Sequence, residues 1–214
     1  MLDDAGPRTR RLSAFLARRE RRQPARWAEL DRAAQARFFS RRAVVYSDTA
    51  DFTARTLRDG ILHFMMVFER AVRALRPIAR RAGGRLVKIE ADSMMLCFRD
   101  PTAACRGVLA LEAGLRRLNR GRPPNERLRF SYGIGYGELL ELEKDLFGLE
   151  VNIASKLGED LAKPGEALLT PAAAAALDAR TLKRVTLHKI VTYGDRAIPV
   201  QRLRLAGSGS QHRR

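Results

Sequence analysis

Cysteines and long apolar runs are scarce in this chain, and each scarcity excludes a class of protein. The 214 residues include two cysteines, Cys97 and Cys105, too few for a disulfide framework. Both lie in apolar surroundings and are predicted to be buried free thiols in a reducing compartment. No apolar run approaches the ~20 residues of a membrane span, so we expect no transmembrane segment. The opening MLDDAGPRTRR lacks an apolar stretch after its charges, which predicts no signal peptide and a cytoplasmic protein.

Acidic residues are also few. The chain has 24 Asp and Glu against 41 Lys and Arg, a net charge of +17, and residues 1–42 carry 12 arginines and five acids. Such a surface attracts polyanions, whether nucleic acid, acidic lipid or a nucleotide triphosphate, although a solvated basic surface explains it equally well. The sequence has no zinc-ligand spacing and no RNA-binding aromatic motif. We therefore expect no dedicated nucleic-acid site.

Composition and periodicity predict a single domain with a helical extension. A hydrophobic content of 45% over this length supports a folded core. Apolar residues recur at helical spacing over residues 8–39, and Pro24 divides this run into two short helices. These helices either dock on the domain or pair with a second chain. The predicted units are an arginine-rich extension (1–42), a catalytic domain (43–205) and a flexible tail (206–214).

The order of expected strands and helices in the domain predicts an α+β fold with a ferredoxin-like βαββαβ core and C-terminal additions. Expected strands are Ala43–Ser47, the hairpin Arg85–Ile89 and Met94–Phe98, and two strands within LRFSYGIGYGELLELE. Expected helices are Leu62–Ala82, Pro101–Asn119 and Glu150–Leu161. Further strands and a short alanine-rich helix follow.

Two aspartates are the main candidates for chemistry. Asp48 lies in AVVYSDTADFT, and Asp92 follows 44 residues later in GGRLVKIEADSMML. Each ends or follows a short β-rich run, and the βαββαβ topology places the first strand beside the first hairpin. Paired carboxylates suit Mg²⁺, which prefers hard oxygen ligands. The alternative is ordinary turn or capping chemistry.

Four segments resemble, in order and spacing, the catalytic domain of class III nucleotidyl cyclases over roughly residues 43–205. They are YSDTADFT, GGRLVKIEAD, KDLFGLEVNIASKL and LAKPGEALLT. The resemblance implies an adenylate cyclase that converts ATP to 3′,5′-cyclic AMP and pyrophosphate. It implies two ions, Mg²⁺ or Mn²⁺, held by Asp48 and Asp92. It also implies a phosphate-binding loop containing Thr49, Asp51, Phe52 and Thr53.

The resemblance also implies how the base and ribose are bound. A lysine and an aspartate at the positions of Lys88 and Asp145 accept adenine, because Lys88 donates to the N1 edge and Asp145 accepts from the exocyclic amine. Asn152 would orient the ribose. Lys156 stands where the family usually has an arginine that stabilises the transition state. The family builds its site from two domains, which predicts a head-to-tail homodimer and leaves room for a protein activator.

Some residues depart from the family pattern, and several alternatives stay open. Asp51 and Ala91 each replace a glycine, and the loop VTYGDRA lacks a lysine that the family often uses for the phosphates. The chain could therefore be a weak or inactive cyclase-like module that signals through a partner, or a cyclase with another base preference. A third alternative is a basic nucleic-acid-binding protein. Its stacking candidates, Phe98, Phe130 and Tyr132, alternate with apolar residues as core residues do.

Overall fold

The computed structural model describes residues 6–193 and 195–205, so the predicted tail at 206–214 lies outside the described residues. The helices are α1 (Pro7–Glu20), α2 (Trp27–Phe38), α3 (Phe52–Asp59), α4 (Ile61–Arg81), α5 (Pro101–Asn119), α6 (Leu149–Lys156), α7 (Pro171–Ala175) and α8 (Ala179–Leu182). The strands are β1 (Phe39–Thr49), β2 (Arg85–Glu90), β3 (Ser93–Phe98), β4 (Phe130–Glu141), β5 (Leu146–Phe147), β6 (Ala167–Leu169), β7 (Val185–Tyr193) and β8 (Arg196–Leu203).

All the described strands belong to one mixed sheet. Its order is β2-β3-β1-β4-β6-β8-β7, with β5 paired to β4. The β4–β6 pair is parallel and the remaining pairs are antiparallel. The strands β1 to β4, with α3, α4 and α5 as crossovers, form the predicted ferredoxin-like βαββαβ core. The α+β fold and the neighbouring positions of β1 and β3 are confirmed.

The main core lies between the sheet and the helices α4 and α5. Helix α4 buries an apolar stripe that includes Phe64, Phe68 and Leu75. Three aromatic side chains of β3 and β4 belong to the same cluster, and none is more than 1% exposed: Phe98, Phe130 and Tyr132. These rings cannot stack on bases while they are packed in the core, so the nucleic-acid hypothesis loses its candidate residues.

The prediction of two strands in LRFSYGIGYGELLELE was wrong, because β4 runs without interruption from Phe130 to Glu141. Its glycines serve the packing of α6 rather than a turn. A Cβ atom on Gly133 would lie 1.9 Å from the carbonyl oxygen of Ala154, and one on Gly135 would lie 2.4 Å from that of Glu150. Only glycine lets the two backbones approach so closely.

The helix predicted over Glu150–Leu161 is present in two parts. The α-helix α6 ends at Lys156, and a π-helical turn covers Leu157–Leu161. Short π turns of this kind are frequent at functional sites.

The N-terminal helices dock on the domain, which was one of the two expectations. Leu12 of α1, Phe38 of α2 and Leu142 form a small buried cluster. Glu143 caps the start of α1 by accepting hydrogen bonds from the N–H of Thr9 at 3.1 Å and from its hydroxyl at 2.6 Å. The strand β1 begins at Phe39, earlier than the predicted Ala43, because α2 leads directly into it. The division of the chain at residue 42 stays a prediction.

Both cysteines are buried free thiols, as predicted. Burial raises the pKa of Cys105 to about 12, which keeps this thiol protonated and unreactive. Within the described ranges, no helix combines the length and apolar character needed to cross a bilayer.

Candidate active site

The ends of β1 and β3 bring Asp48 and Asp92 together. The antiparallel register pairs Ser47 with Met94, so the end of β1 lies beside the start of β3. The Ser93 hydroxyl donates to Asp48 Oδ1 at 2.8 Å, and the Thr49 hydroxyl donates to Asp92 Oδ2 at 2.5 Å. Each carboxylate is therefore held by a hydroxyl from the other strand. The two aspartates are neighbours, as the topology predicted.

The electrostatic environment of Asp48 is unfavourable for its charge. The pKa of Asp48 is raised to about 6: burial is the largest cause and the negative charges of Asp92 and Glu159 add to it, while hydrogen bonds from Ser93 and the Thr49 N–H act in the opposite direction. At neutral pH, Asp48 is mostly ionised beside a second carboxylate. A bound cation would relieve both the burial cost and the repulsion.

The donor atoms fit a hard divalent cation. The protein has 41 basic residues, yet within residues 6–193 and 195–205 no Lys or Arg forms an ion pair with Asp48 or Asp92. In this part of the chain, no cluster of three or more His, Cys, Asp and Glu side chains is placed to hold a metal. The protein ligands at this point would be two carboxylates and nearby backbone oxygens, and solvent or substrate would have to complete the coordination.

The predicted phosphate loop connects β1 to α3. Thr49, at its start, is buried, and Thr53, at its end, is exposed. The half-buried ring of Phe52 packs edge-to-face on Phe64, with 4.8 Å between the ring centroids. The loop and the two aspartates line one open cleft of about 480 Å³, formed by Asp48, Thr49, Asp51, Phe52, Thr53, Ala54 and Asp92. The backbone N–H groups at the start of α3 form the positive end of its dipole. The predicted metal and phosphate residues therefore share one cleft.

Asp51 and Ala91, which were predicted to stand in place of glycines, both have a left-handed backbone. Asp51 has φ of 64° and Ala91 has φ of 51°, the two non-glycine residues with positive φ in the part of the chain that is described. Asp51 also forms an ion pair with Arg129 at 3.2 Å, and the Ala50 N–H donates to the Arg129 carbonyl at 2.9 Å. Each of these side chains therefore stands at a backbone position that favours glycine.

Lys88 and Asp145 are paired with each other inside one chain. Lys88 Nζ lies 3.0 Å from Asp145 Oδ2 and 3.1 Å from Glu90 Oε2. Burial lowers the pKa of Lys88, but hydrogen bonds to Asp145 and Glu90 outweigh it, so the net shift is upward. The two predicted base-reading residues thus lie together, with opposite charges, on β2 and the loop before β5.

Asn152 and Lys156 share the outer side of α6. Asn152 is exposed, and Lys156 forms an ion pair with Asp160 at 3.2 Å. Neither residue lines the cleft at Asp48, and neither do Lys88 or Asp145. One chain therefore presents two separate half-sites, one with the aspartate pair and one with the base-reading pair.

Sequence reasoning missed three residues of these half-sites. Glu90 lies two residues after Lys88 on the same strand, so period-two alternation could have paired them. Arg129 is brought to Asp51 by the register of β1 with β4, which pairs Thr49 with Phe130. Glu159 lies in the π-helical turn, close enough for its charge to raise the pKa of Asp48, and no pattern in the sequence predicts that turn.

Comparison with known proteins identifies this fold. No family model matches the chain. A stretch of 129 residues is 29% identical to the serine/threonine-protein kinase pkn2 of Myxococcus xanthus, covering 60% of this chain and 15% of that protein. A stretch of 123 residues is 26% identical to the putative adenylate cyclase 3 of Rhizobium meliloti, covering 58% of this chain and 21% of that protein. The chain thus spans about a fifth or less of the curated relatives that it matches.

Solved structures extend the comparison over most of the chain. The adenylate/guanylate cyclase/hydrolase from Silicibacter pomeroyi superposes with a TM-score of 0.66 at 23% identity, covering 77% of this chain and 96% of that structure. Other structures with this fold include both adenylyl and guanylyl cyclases. The chain has the fold of adenylate and guanylate cyclase catalytic domains, which confirms the resemblance that its four motifs carried.

Proposed function

We propose that this protein is a metal-dependent nucleotidyl cyclase that converts ATP to 3′,5′-cyclic AMP and pyrophosphate. The observation that carries the proposal is the convergence of Asp48 and Asp92 at the mouth of the phosphate loop, on a cyclase fold. In this reaction the ribose 3′ oxygen bonds to the α-phosphorus, the bond to the β-phosphate oxygen breaks, and pyrophosphate leaves.

The aspartate half-site would bind the triphosphate. Two ions, Mg²⁺ or Mn²⁺, held by Asp48 and Asp92 would favour ionisation of the 3′ hydroxyl and offset the charge of the leaving pyrophosphate. Of the backbone N–H groups from Thr49 to Thr53, those of Asp51, Phe52 and Thr53 at the start of α3 would donate hydrogen bonds to the terminal phosphates, since the Thr49 and Ala50 N–H groups already bond Asp48 and the Arg129 carbonyl. Arg129 would neutralise Asp51, whose carboxylate otherwise repels the triphosphate.

The Lys88–Asp145 pair supports ATP over GTP. Lys88 offers a donor and Asp145 an acceptor, which matches the N1 atom and the exocyclic amine of adenine, whereas guanine presents the opposite pattern at both positions. Their ion pair holds the two side chains at a fixed separation before the base arrives. Glu90 also pairs with the Lys88 ammonium, so Lys88 keeps one acidic partner when Asp145 turns toward the base.

The separation of the half-sites supports a head-to-tail homodimer. Asp48 and Asp92 of one protomer would face Lys88, Asp145 and the outer side of α6 of its partner. In that arrangement Asn152 would orient the ribose, and Lys156 would stabilise charge on the transferring phosphate. Such a dimer contains two equivalent sites.

A cyclase-like module without turnover is the second candidate, and one contact favours it. Lys156 is engaged with Asp160 on its own helix, so its cation must leave that partner before it can reach a phosphate. Lysine also lacks the planar fork of the arginine usual at this place. A protein activator that displaced Asp160 would release the Lys156 cation for contact with a phosphate.

The experiment that tests the proposal is product analysis with ATP, GTP, CTP and UTP, each with Mg²⁺ and with Mn²⁺. We expect cyclic AMP from the wild type, none from Asp92→Asn, and full activity from Asp31→Asn, a control in α2 outside the cleft. Circular dichroism checks that both variants fold. Cyclic AMP from Asp92→Asn at the wild-type rate would remove the metal assignment, and silence of the wild type with every nucleotide would favour the module without turnover.

Metal binding and base reading have their own readouts. Mn²⁺ should raise the melting temperature of the wild type and leave that of Asp92→Asn unchanged, whether or not the protein turns over. The double variant Lys88→Glu with Asp145→Cys should lose ATP use more than GTP use. An unchanged ratio of the two activities would contradict the base-reading roles.

A further inference from the structure

A group of large apolar side chains stands exposed where α3 turns into α4. Leu57 and Leu62 are each 83% exposed, and Ile61, Met65 and Met66 are exposed beside them. We call these five residues the α3–α4 apolar face. They lie on the solvent side of a pair of helices whose other side fills the core, so burial within the chain does not explain them.

The outward side of α4 changes from apolar to cationic along its length. Helical spacing places Arg73, Arg76 and Arg80 on the same side as Leu62 and Met66. All three arginines are exposed, and none has an acidic partner among the residues that the structure describes. Glu69 is the single acidic residue of α4. This surface, about 30 Å long, therefore begins with the apolar face and ends with arginines.

The shape and charge of this surface indicate its occupant. A second copy of the chain is disfavoured at this face, because each copy would bring three arginines and only one acidic residue, Glu69, to pair with them. Leu57 and Leu62 project from the surface with most of their area free, instead of lining a groove that a partner helix could fill. A lipid bilayer accepts projecting apolar side chains without shape complementarity, and anionic headgroups attract neighbouring arginines.

We propose that the α3–α4 apolar face inserts into the surface of an anionic membrane, with Arg73, Arg76 and Arg80 bound to lipid phosphates. The protein would then attach peripherally, which agrees with the lack of a bilayer-crossing helix among the described residues. This inference does not depend on the proposed cyclase activity. It also gives the exposed arginines of α4 a binding partner, the phosphates of the lipid.

Vesicle sedimentation with matched variants tests the proposal. The wild type is mixed with vesicles of phosphatidylcholine alone, or of phosphatidylcholine with phosphatidylglycerol. The test variant is Leu57→Ser with Leu62→Ser; the control is Leu187→Ser with Ile190→Ser, an equally polarising change at two β7 residues that are each 68% exposed. We expect the wild type and the control to bind the anionic vesicles, and the test variant to lose at least about tenfold in partitioning.

Three results would overturn the proposal. The wild type could fail to sediment with anionic vesicles, which would leave the face to a protein partner. The test variant could bind as well as the control, which would mean that net charge alone causes the adhesion. Both double variants could lose binding equally, which would place the contact elsewhere.

A labelled cysteine gives a second measurement that does not rely on loss of binding. Leu62→Cys is coupled to a polarity-sensitive dye, and Leu187→Cys is the control; Cys97 and Cys105 are buried and stay unlabelled in the folded protein. Insertion predicts a blue shift of the dye emission at position 62 with anionic vesicles, and none at position 187. No shift at 62 under conditions where the protein sediments would contradict insertion.

Discussion

Replacing Ala91 by glycine should stabilise the protein, although the change removes a methyl group. Ala91 has φ of 51° and is exposed, so its methyl group makes no core contact that glycine would lose. A left-handed conformation costs an ordinary L-residue roughly 1–2 kcal/mol. Glycine avoids this cost but loses about 0.5–1 kcal/mol through its greater freedom in the unfolded chain. The net gain in the free energy of unfolding is therefore about 0–1.5 kcal/mol, with a central value of about 0.75 kcal/mol.

The matched control is the same substitution at Ala113, an exposed position in α5. There the backbone is helical, so glycine should lose about 1 kcal/mol. For a chain of this size 1 kcal/mol shifts the melting temperature by about 2–4 °C. Thermal unfolding should thus show a rise of about 1–4 °C for Ala91→Gly and a fall for Ala113→Gly. A comparable fall for both would refute the assignment of strain to Ala91.

Asp51→Gly provides an internal comparison. Its φ of 64° is also left-handed, but aspartate tolerates this region better than most residues. Its exposed ion pair with Arg129 contributes at most about 1 kcal/mol. Glycine again loses about 0.5–1 kcal/mol through its freedom in the unfolded chain. The smaller relief of strain cannot offset both this cost and the loss of the pair, so the melting temperature of Asp51→Gly should fall below that of the wild type, in contrast to Ala91→Gly.

Three further predictions concern parts of the molecule around the site. Arg55→Ala should lower the free energy of unfolding in urea by about 1.5–3 kcal/mol, because its guanidinium donates to two loop carbonyls at 2.7 Å, and Arg55→Lys should recover only part of this loss. Burial raises the pKa of Glu112, so this group contributes stability at low pH that is lost as the pH rises above its unfolded pKa; the stability of the wild type relative to Glu112→Gln, which keeps an acceptor for the Tyr132 hydroxyl, should therefore fall over that range, and parallel pH profiles would contradict this. Glu143→Ala should speed tryptic cleavage within α1 more than Glu143→Gln, because the helix loses its cap; equal cleavage rates would exclude that role.

The fold and the aspartate pair could be predicted because local patterns and topology agreed. Apolar runs ending at Asp48 and beginning after Asp92 define strands, and the βαββαβ connection leaves few ways to arrange them. Two carboxylates at adjacent strand ends then have to meet. The same reasoning could not show that Ser93 and Thr49 hold them in place, because cross-strand hydrogen bonds depend on register to within one residue.

The remaining features depend on contacts that no local pattern encodes. The glycines of β4 suggested a break, because a glycine in a strand usually marks a bulge or a turn. Here they mark the approach of α6, which is visible only when Ala154 and Glu150 are seen above Gly133 and Gly135. In the same way, the sequence shows that position 91 is alanine, but it does not show that the backbone at this position is left-handed.

The distribution of ion pairs around the two half-sites is the strongest physical argument for a cation between Asp48 and Asp92. Asp51 is neutralised by Arg129, and Lys156 is engaged by Asp160. Yet Asp48, whose pKa is raised to about 6 mainly by burial, has a second carboxylate beside it and no Lys or Arg within ion-pair distance among the described residues. A pair of charges left in this state costs free energy unless something outside the chain binds there, so adding Mn²⁺ should stabilise the wild type more than it stabilises Asp48→Asn.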